Sequence, residues 1–347
     1  MRRTVPPLGY GLAGLYVALS FSACSGSQSS LNPAGEQASR ISGLWWFYLA
    51  VLVGVFTVVI AAMLIAVAIH WRRQEAFSPG MLPEPLNATR EQQLTKVVVA
   101  SVAATVVILF VLLFADFFTG RAVSSPAPKD AITINITGHQ WWWSITYEDP
   151  VPSKTVSTAN ELHIPVGRPI MFKLHSTDVI HSFWIPNLHG KKDLIPGHPT
   201  STWFTANQAG TYHGQCAEFC GHQHAHMGLT ITAEAPEKFA AWLEGQRQSA
   251  PNPATEQQRR GQQVFLGGTC VMCHRIQGTP AMATVGPDLT HFASRHRIAA
   301  GTLPNARGWL AGWILDPQAH KPGARMPQHT FAPEELNALL DYLETLK

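Results

Sequence analysis

Two long, predominantly apolar runs, Leu44 to Ile69 and Val97 to Phe118, constrain this chain more than any other feature. Each exceeds the roughly 20 residues that carry a helix across a bilayer. A backbone without water can satisfy its polar groups there only as a helix or a closed barrel. A transmembrane helix hairpin over residues 40–121 is therefore expected, with spans at about 44–69 and 97–118. Trp45, Trp46, Phe47 and Tyr48 form an interfacial aromatic belt at the outer end of the first span. Asp116 sits near enough to the headgroups to be solvated.

The loop between the spans carries Arg72, Arg73 and Arg90, whereas the outer flanks offer mainly Arg40 and Arg121. That bias places the loop inside the cell and everything after Phe118 outside the cytoplasm. Ahead of the hairpin, residues 1–24 read as a bacterial lipoprotein signal: Arg2 and Arg3, an apolar stretch from Leu8 to Ala23, then Cys24 in a lipobox-like context. The bland alternative is ordinary signal cleavage with an idle cysteine. Together these features predict a two-span protein of a bacterial inner membrane, with its later domains on the periplasmic side.

At 347 residues the chain has room for two or three domains. Two proline-rich linkers, Ser124-Ser125-Pro126-Ala127-Pro128 and Ser249-Ala250-Pro251-Asn252-Pro253, divide the outer part and are expected to be extended and poor in core contacts. They delimit domains at 129–245 and 254–347. In the first, Ile132-Ile134-Ile136, Leu162-Ile164-Val166, Ile170-Phe172-Leu174 and Met227-Leu229-Ile231 alternate with other residues. This period of two predicts a small antiparallel β-sandwich or barrel. The net charge of +3 is too small to imply a nucleic-acid partner.

Five cysteines remain to be explained. Cys24 belongs to the signal, Cys216 and Cys220 to one cluster, and Cys270 and Cys273 to another, which leaves none over for a disulfide. The first cluster is Cys216-Ala-Glu-Phe-Cys220-Gly-His-Gln-His224-Ala-His-Met227, with His181 upstream in Val-Ile-His-Ser-Phe-Trp. Soft thiolates, imidazoles and a thioether favour copper. A zinc site would close as a tetrahedron of Cys and His. Two thiolates separated by three residues fit instead two copper ions bridged by both sulfurs, each taking one histidine. Periodicity leaves His222, His224 and His226 as equivalent candidates.

The cluster and its surroundings resemble subunit II of cytochrome c oxidase. The resemblance covers about residues 40 to 245: two spans, Gly138-His139-Gln140-Trp141, His181-Ser-Phe-Trp-Ile-Pro, Asp193-Leu-Ile-Pro-Gly197, and Gly214-Gln-Cys216 onward. It implies a cupredoxin-like all-β domain, a Greek-key barrel or sandwich, holding a dinuclear copper A centre. The ligands it implies are His181, Cys216, the Glu218 carbonyl, Cys220, His224 and Met227. It further implies magnesium on the Glu218 side chain at the junction with subunit I, and Trp141 as the point of electron transfer. Trp141, Trp142 and Trp143 also admit a plainer role, with alternate indoles filling the core or resting on a partner.

The second cluster, Cys270-Val-Met-Cys273-His274, is a haem c attachment signal, in which the thiols bond the haem and His274 ligates iron. It follows a predicted helix, Glu256 to Phe265, and precedes Gly286-Pro287-Asp288-Leu289 and an amphipathic helix with Leu336, Leu339, Leu340 and Leu343 on one face. The arrangement resembles an all-α class I cytochrome c. The resemblance implies Met326, in Lys321-Pro-Gly-Ala-Arg-Met326-Pro, as the second axial ligand. Met272, Met282, His320 and His329 are its rivals.

The whole is thus expected to be a multidomain membrane protein of the caa3 type. It would carry electrons from its own haem c to copper A and on to subunit I, with proton translocation, subunit III and an upstream cytochrome c or cytochrome bc-type donor implied. A nitric oxide reductase subunit and a tethered copper or redox protein are the alternatives. One departure from the family is that the usual Glu with a following Trp-Thr pair is absent. Glu91 either substitutes for it or is a helix-start charge.

Overall fold

The computed structural model describes residues 26–74 and 87–347, so Cys24 and the signal segment lie outside the described residues. The chain divides into two units, Arg40–Pro126 and a second comprising the residues before Arg40 together with Ala127–Lys347.

The first unit holds two helices, α1 (Glu36–Gln74, which begins just before it) and α2 (Ala88–Val123), both long and apolar enough to cross a membrane. Tyr48 donates its hydroxyl to the Leu112 carbonyl at 3.0 Å and ties the pair together. Thr57, Ser101 and Thr105 donate back to carbonyls one turn earlier, so these three hydroxyls are satisfied within their own helices. Both helices run past the apolar runs. Arg72 and Arg73 lie in the last turns of α1, and Arg90 and Glu91 in the first turn of α2, rather than in a loop. The Asn87 side chain caps α2 by accepting from Arg90 N at 2.9 Å.

In the second unit, ten strands form two five-stranded sheets. They are β1 (Ile132–His139), β2 (Trp142–Tyr147), β3 (Val156–Ala159), β4 (Glu161–Pro165), β5 (Pro169–Ser176), β6 (His181–Trp184), β7 (Lys192–Leu194), β8 (Thr200–Thr205), β9 (Gly210–Cys216) and β10 (Gly228–Glu234). The sheet orders are β3-β2-β1-β5-β8 and β4-β10-β9-β6-β7. Ile134, Ile136, Leu162, Ile164, Ile170, Phe172, Leu174, Leu229 and Ile231 all point into the space between the sheets and are buried. The expectation of a wholly antiparallel sandwich needs correction, because β1 pairs parallel with β5 and β4 parallel with β10. The chain crosses between sheets before returning beside an earlier strand, and such a return can run in the same direction. Helix α3 (Pro236–Gln246) follows and packs on β4, with Phe239 buried.

The C-terminal part is helical: α4 (Glu256–Gly267), α5 (Arg307–Leu315), α6 (Pro317–His320) and α7 (Pro333–Leu343), with a two-strand hairpin β11 (Arg297–Ile298) and β12 (Leu303–Pro304). Thr255 caps α4 in a reciprocal box with Gln258. Helices α4 and α7 cross where Gly261 meets the Ala338 carbonyl so closely that no side chain would fit. Leu339, Leu340, Tyr342 and Leu343 bury the expected face of α7 against Phe265, Leu310 and Ile314. The second proline-rich linker lacks helix or strand, but it is not free of the core. Ala250 N donates to Gln277 O at 3.0 Å and its methyl packs on the helical core.

Candidate functional site

Strand pairing assembles the sulfur cluster. Phe183 of β6 faces Cys216 of β9, which puts His181 and Cys216 on adjacent strands. Cys216 N donates to Met227 O at 2.9 Å, closing the Cys216–Met227 loop on itself, and Ala217 N donates to Ser182 O at 3.0 Å, tying the loop to β6. The two sulfurs stand 3.8 Å apart, too far for a disulfide, and both are buried. Cys216 Sγ lies 3.8 Å from His181 Nδ1 and 3.2 Å from Glu218 O, while Cys220 Sγ lies 3.5 Å from His224 Nδ1 and 3.9 Å from Met227 Sδ. Each sulfur therefore has one imidazole nitrogen and one weaker donor beside it. His181, Cys216 and Cys220 form a cluster of metal-ligand atoms within 4.8 Å of one another. Of the rival histidines, His226 bonds the Gln223 side chain at 2.7 Å and His222 is exposed.

The electrostatics favour a metal-ready thiolate. Cys216 is drawn down to about 4 by the hydrogen bond from Cys220, with burial opposing and His181 assisting. The same pairing pushes Cys220 up, so one proton remains for a metal to displace. Burial depresses His181, but Cys216 and Asp178 outweigh it and raise the imidazole above its ordinary value. Asp178 is the residue that sequence reasoning missed. Its Oδ1 meets His181 Nε2 at 2.8 Å, which turns Nδ1 toward the sulfur. The carboxylate is held in place by Gln140 N and Val179 N, each at 2.8 Å. An acidic residue three positions before the histidine was the available signal. A methyl at Gly138 would lie 2.7 Å from His181 Cδ2, so the close approach of that backbone also seats the ring.

The three tryptophans have three environments. Trp143 is fully buried against His181 and Phe183. Trp142 stacks on His139 with centroids 4.4 Å apart. Trp141, only 8% exposed, donates Nε1–H to the Cys220 carbonyl at 2.9 Å, and Gln140 Nε2 donates to the same oxygen at 2.8 Å.

In the helical part, Cys270 and Cys273 are unpaired thiols on one tight turn. His274 N donates to Cys270 O at 3.0 Å. His274 Nδ1–H donates to the Pro287 carbonyl at 2.8 Å, which leaves Nε2 as the nitrogen for iron. Burial keeps the ring neutral by lowering its pKa. A methyl at Gly286 would come within 2.8 Å of that ring. Arg295 keeps a buried Nε–H with no acceptor among the described residues, a donor that a haem carboxylate suits. Met326 packs on the helical core, whereas Met272 and Met282 are 69% and 61% exposed. Gln318 holds the Met326 loop by accepting from Gly323 N at 2.7 Å and donating to Ala324 O at 2.7 Å. His320 lies edge-on to Trp309, and His329 N donates to Leu315 O. The donor sets fit a dinuclear copper at one site and a covalent haem at the other.

A ten-strand sandwich with a largely buried Cys-Cys-His-His-Met cluster, followed by a helical domain with a Cys-x-x-Cys-His turn, defines an electron-transfer protein that joins a copper domain to a cytochrome. Residues 132–234 match the cytochrome c oxidase subunit II periplasmic domain, and residues 258–347 match cytochrome c. Cytochrome c oxidase subunit 2 of Alkalihalophilus pseudofirmus OF4 is 33% identical over 343 residues, covering 96% of this chain and 95% of the relative. That of Bacillus subtilis 168 is 26% identical over 336 residues, covering 92% of each. The crystallised periplasmic domain of subunit II from Bradyrhizobium japonicum is 34% identical over 35% of this chain and 97% of its own, with a TM-score of 0.33. The chain belongs to the cytochrome c oxidase subunit II family and carries a C-terminal cytochrome c domain. It is a component of a haem-copper oxidase with an electron-transfer role, and its two domains imply a copper A site and haem c.

Proposed function

We propose that this chain is the electron-entry subunit of a caa3-type cytochrome c oxidase. It receives electrons at its own haem c and passes them through copper A to subunit I, where oxygen reduction is coupled to proton translocation. The haem and the dinuclear copper supply one-electron chemistry, and the chain's residues hold, orient and desolvate them. His181, Cys216, the Glu218 carbonyl, Cys220, His224 and Met227 hold copper. Cys270 and Cys273 anchor the haem, His274 and Met326 ligate its iron, and that pairing keeps the potential high enough to feed copper. The Glu218 carboxylate, partly exposed beside the cluster, is assigned to magnesium at the junction with subunit I. Subunit III, a cytochrome c or cytochrome bc-type donor, and placement in the bacterial plasma membrane with both centres on the periplasmic side complete the reading.

The observation that carries this reading is the pairing of each cysteine sulfur with its own histidine nitrogen, at 3.8 and 3.5 Å. Rapid mixing of the assembled oxidase with a reduced donor tests it: the haem c band should reduce before the copper near-infrared band bleaches. Copper reduction that precedes the haem overturns the order of transfer. Turnover of nitric oxide in place of oxygen overturns the enzyme class.

A further inference from the structure

The loop that carries Met326 does more than supply a ligand to iron. Lys321, which opens it, is 2% exposed although lysine is almost never buried without partners. Its ammonium donates to the carbonyls of Trp141 at 2.8 Å, His226 at 2.6 Å and Ala299 at 2.9 Å, so all three N–H bonds are used. Two of those acceptors belong to the copper domain and one to the cytochrome domain. Ala299 and its neighbour Ala300 adopt left-handed backbone, at φ 52° and 57°, which side-chain-bearing residues adopt only at a cost. The conformation turns the Ala299 carbonyl to Lys321 and the Ala300 carbonyl to Gly228 N, at 3.0 Å.

The next residues continue the pattern. Pro322 O accepts from Gln223 Nε2 at 2.9 Å. Gly323, at φ 87°, lies so close to the Trp141 ring that an added methyl would be 3.2 Å from Cη2. Arg325 approaches Asp178 at 3.7 Å, a long and therefore weak contact from an exposed guanidinium. Each partner is one step from a copper ligand: Trp141 bonds the Cys220 carbonyl, Gln223 precedes His224, His226 precedes Met227, and Asp178 orients His181. At the opposite rim, Glu161 accepts from His296 N at 3.0 Å and Arg297 N at 2.8 Å.

We infer that Lys321 is a positioning residue that staples the haem-ligand loop onto Trp141, making this indole an internal bridge between the two centres rather than a landing site for an external donor. The inference rests on the cofactor assignment above. A diffusing protein cannot reach a ring already covered by Gly323, so donors must deliver electrons to the cytochrome domain.

The test uses the full chain in the assembled oxidase, with wild-type haem and copper spectra verified first. Absence of either wild-type signal would count against the cofactor assignment, not against the staple. Lys321→Met removes the three donors while filling the same volume. Amide exchange at Gly228, His296 and Arg297, all of which donate across the domain interface, should accelerate by at least about tenfold, since each of the three lost hydrogen bonds to a charged donor is worth that factor or more. Haem-to-copper equilibration after photoreduction should slow, while the haem potential and the copper resonance stay unchanged. Unchanged exchange overturns the staple, and faster exchange with unchanged equilibration overturns the positioning role. Should Lys321→Met fail to accumulate, Glu161→Ala, which removes no proposed cofactor ligand, must raise exchange at Gly228 and slow the same equilibration. An unchanged rate in that variant also overturns the inference.

Discussion

Trp141 donates its indole N–H to the carbonyl oxygen of Cys220 at 2.9 Å, and so ties a buried indole to the backbone of a proposed copper ligand. The amide of Gln140 donates to the same oxygen at 2.8 Å. Trp141→Phe therefore leaves that carbonyl satisfied. Copper content should be retained, stability should fall by about 1 kcal/mol for the lost hydrogen bond, and haem-to-copper transfer should slow. Metal analysis, denaturant titration and flash photolysis check the three outcomes separately.

Cys216→Ser replaces a soft thiolate, proposed to hold copper, by a hard hydroxyl. The copper resonance should vanish while the haem c absorption persists, because the Cys270-Cys273-His274 turn belongs to a separate core. Copper retained at the wild-type level would remove Cys216 from the ligand set.

Met326→His should keep the iron six-coordinate and low-spin but lower the haem midpoint potential by on the order of tenths of a volt. Redox titration reads the shift directly. The same potential in wild type and variant would transfer the ligand role to another residue.

Two glycines seat the imidazoles proposed to face the metals. Methyls at Gly138 and Gly286 would stand 2.7 Å from His181 Cδ2 and 2.8 Å from His274 Cε1. Gly138→Ala should disturb only the copper spectrum and Gly286→Ala only the haem spectrum, each at a cost of about 1–3 kcal/mol for overpacking. Paired spectra and thermal melts of the two variants test this separation.

Gly261→Ala should be the most damaging of the small substitutions. Its methyl would overlap the Ala338 carbonyl where α4 and α7 cross, so the helices must part and expose the face that Leu339, Leu340 and Tyr342 bury. Loss of cooperative unfolding in the cytochrome domain, with the copper domain's transition intact, is the expected result.

Much of this architecture is written in local patterns. The period of two in Ile132-Ile134-Ile136 and in Ile170-Phe172-Leu174 marks sandwich strands, because only one face of each can be buried. The leucines of α7 are legible for the same reason at helical period. Parallel pairing of β1 with β5 left no such mark, since strand direction depends on how the chain crosses between sheets and not on which residues are apolar. The candidate ligands were legible as types and spacings. Asp178 was not singled out, although it stands three residues before His181, because a carboxylate in a loop reads as solvated until its hydrogen bonds are seen.

By itself, then, the sequence determined the parts: apolar runs long enough to span a bilayer, a sulfur-and-imidazole cluster, and a Cys-x-x-Cys-His turn, each a short-range feature tied to chemistry that few other residues supply. Only tertiary structure decided how the parts meet. Lys321 has the composition of a surface residue, and nothing near it in the chain predicts burial. It is buried because three carbonyls, from Trp141, His226 and Ala299, converge from distant segments to accept its hydrogen bonds. Such convergence is a property of packing, in which groups far apart in sequence compensate one another's desolvation.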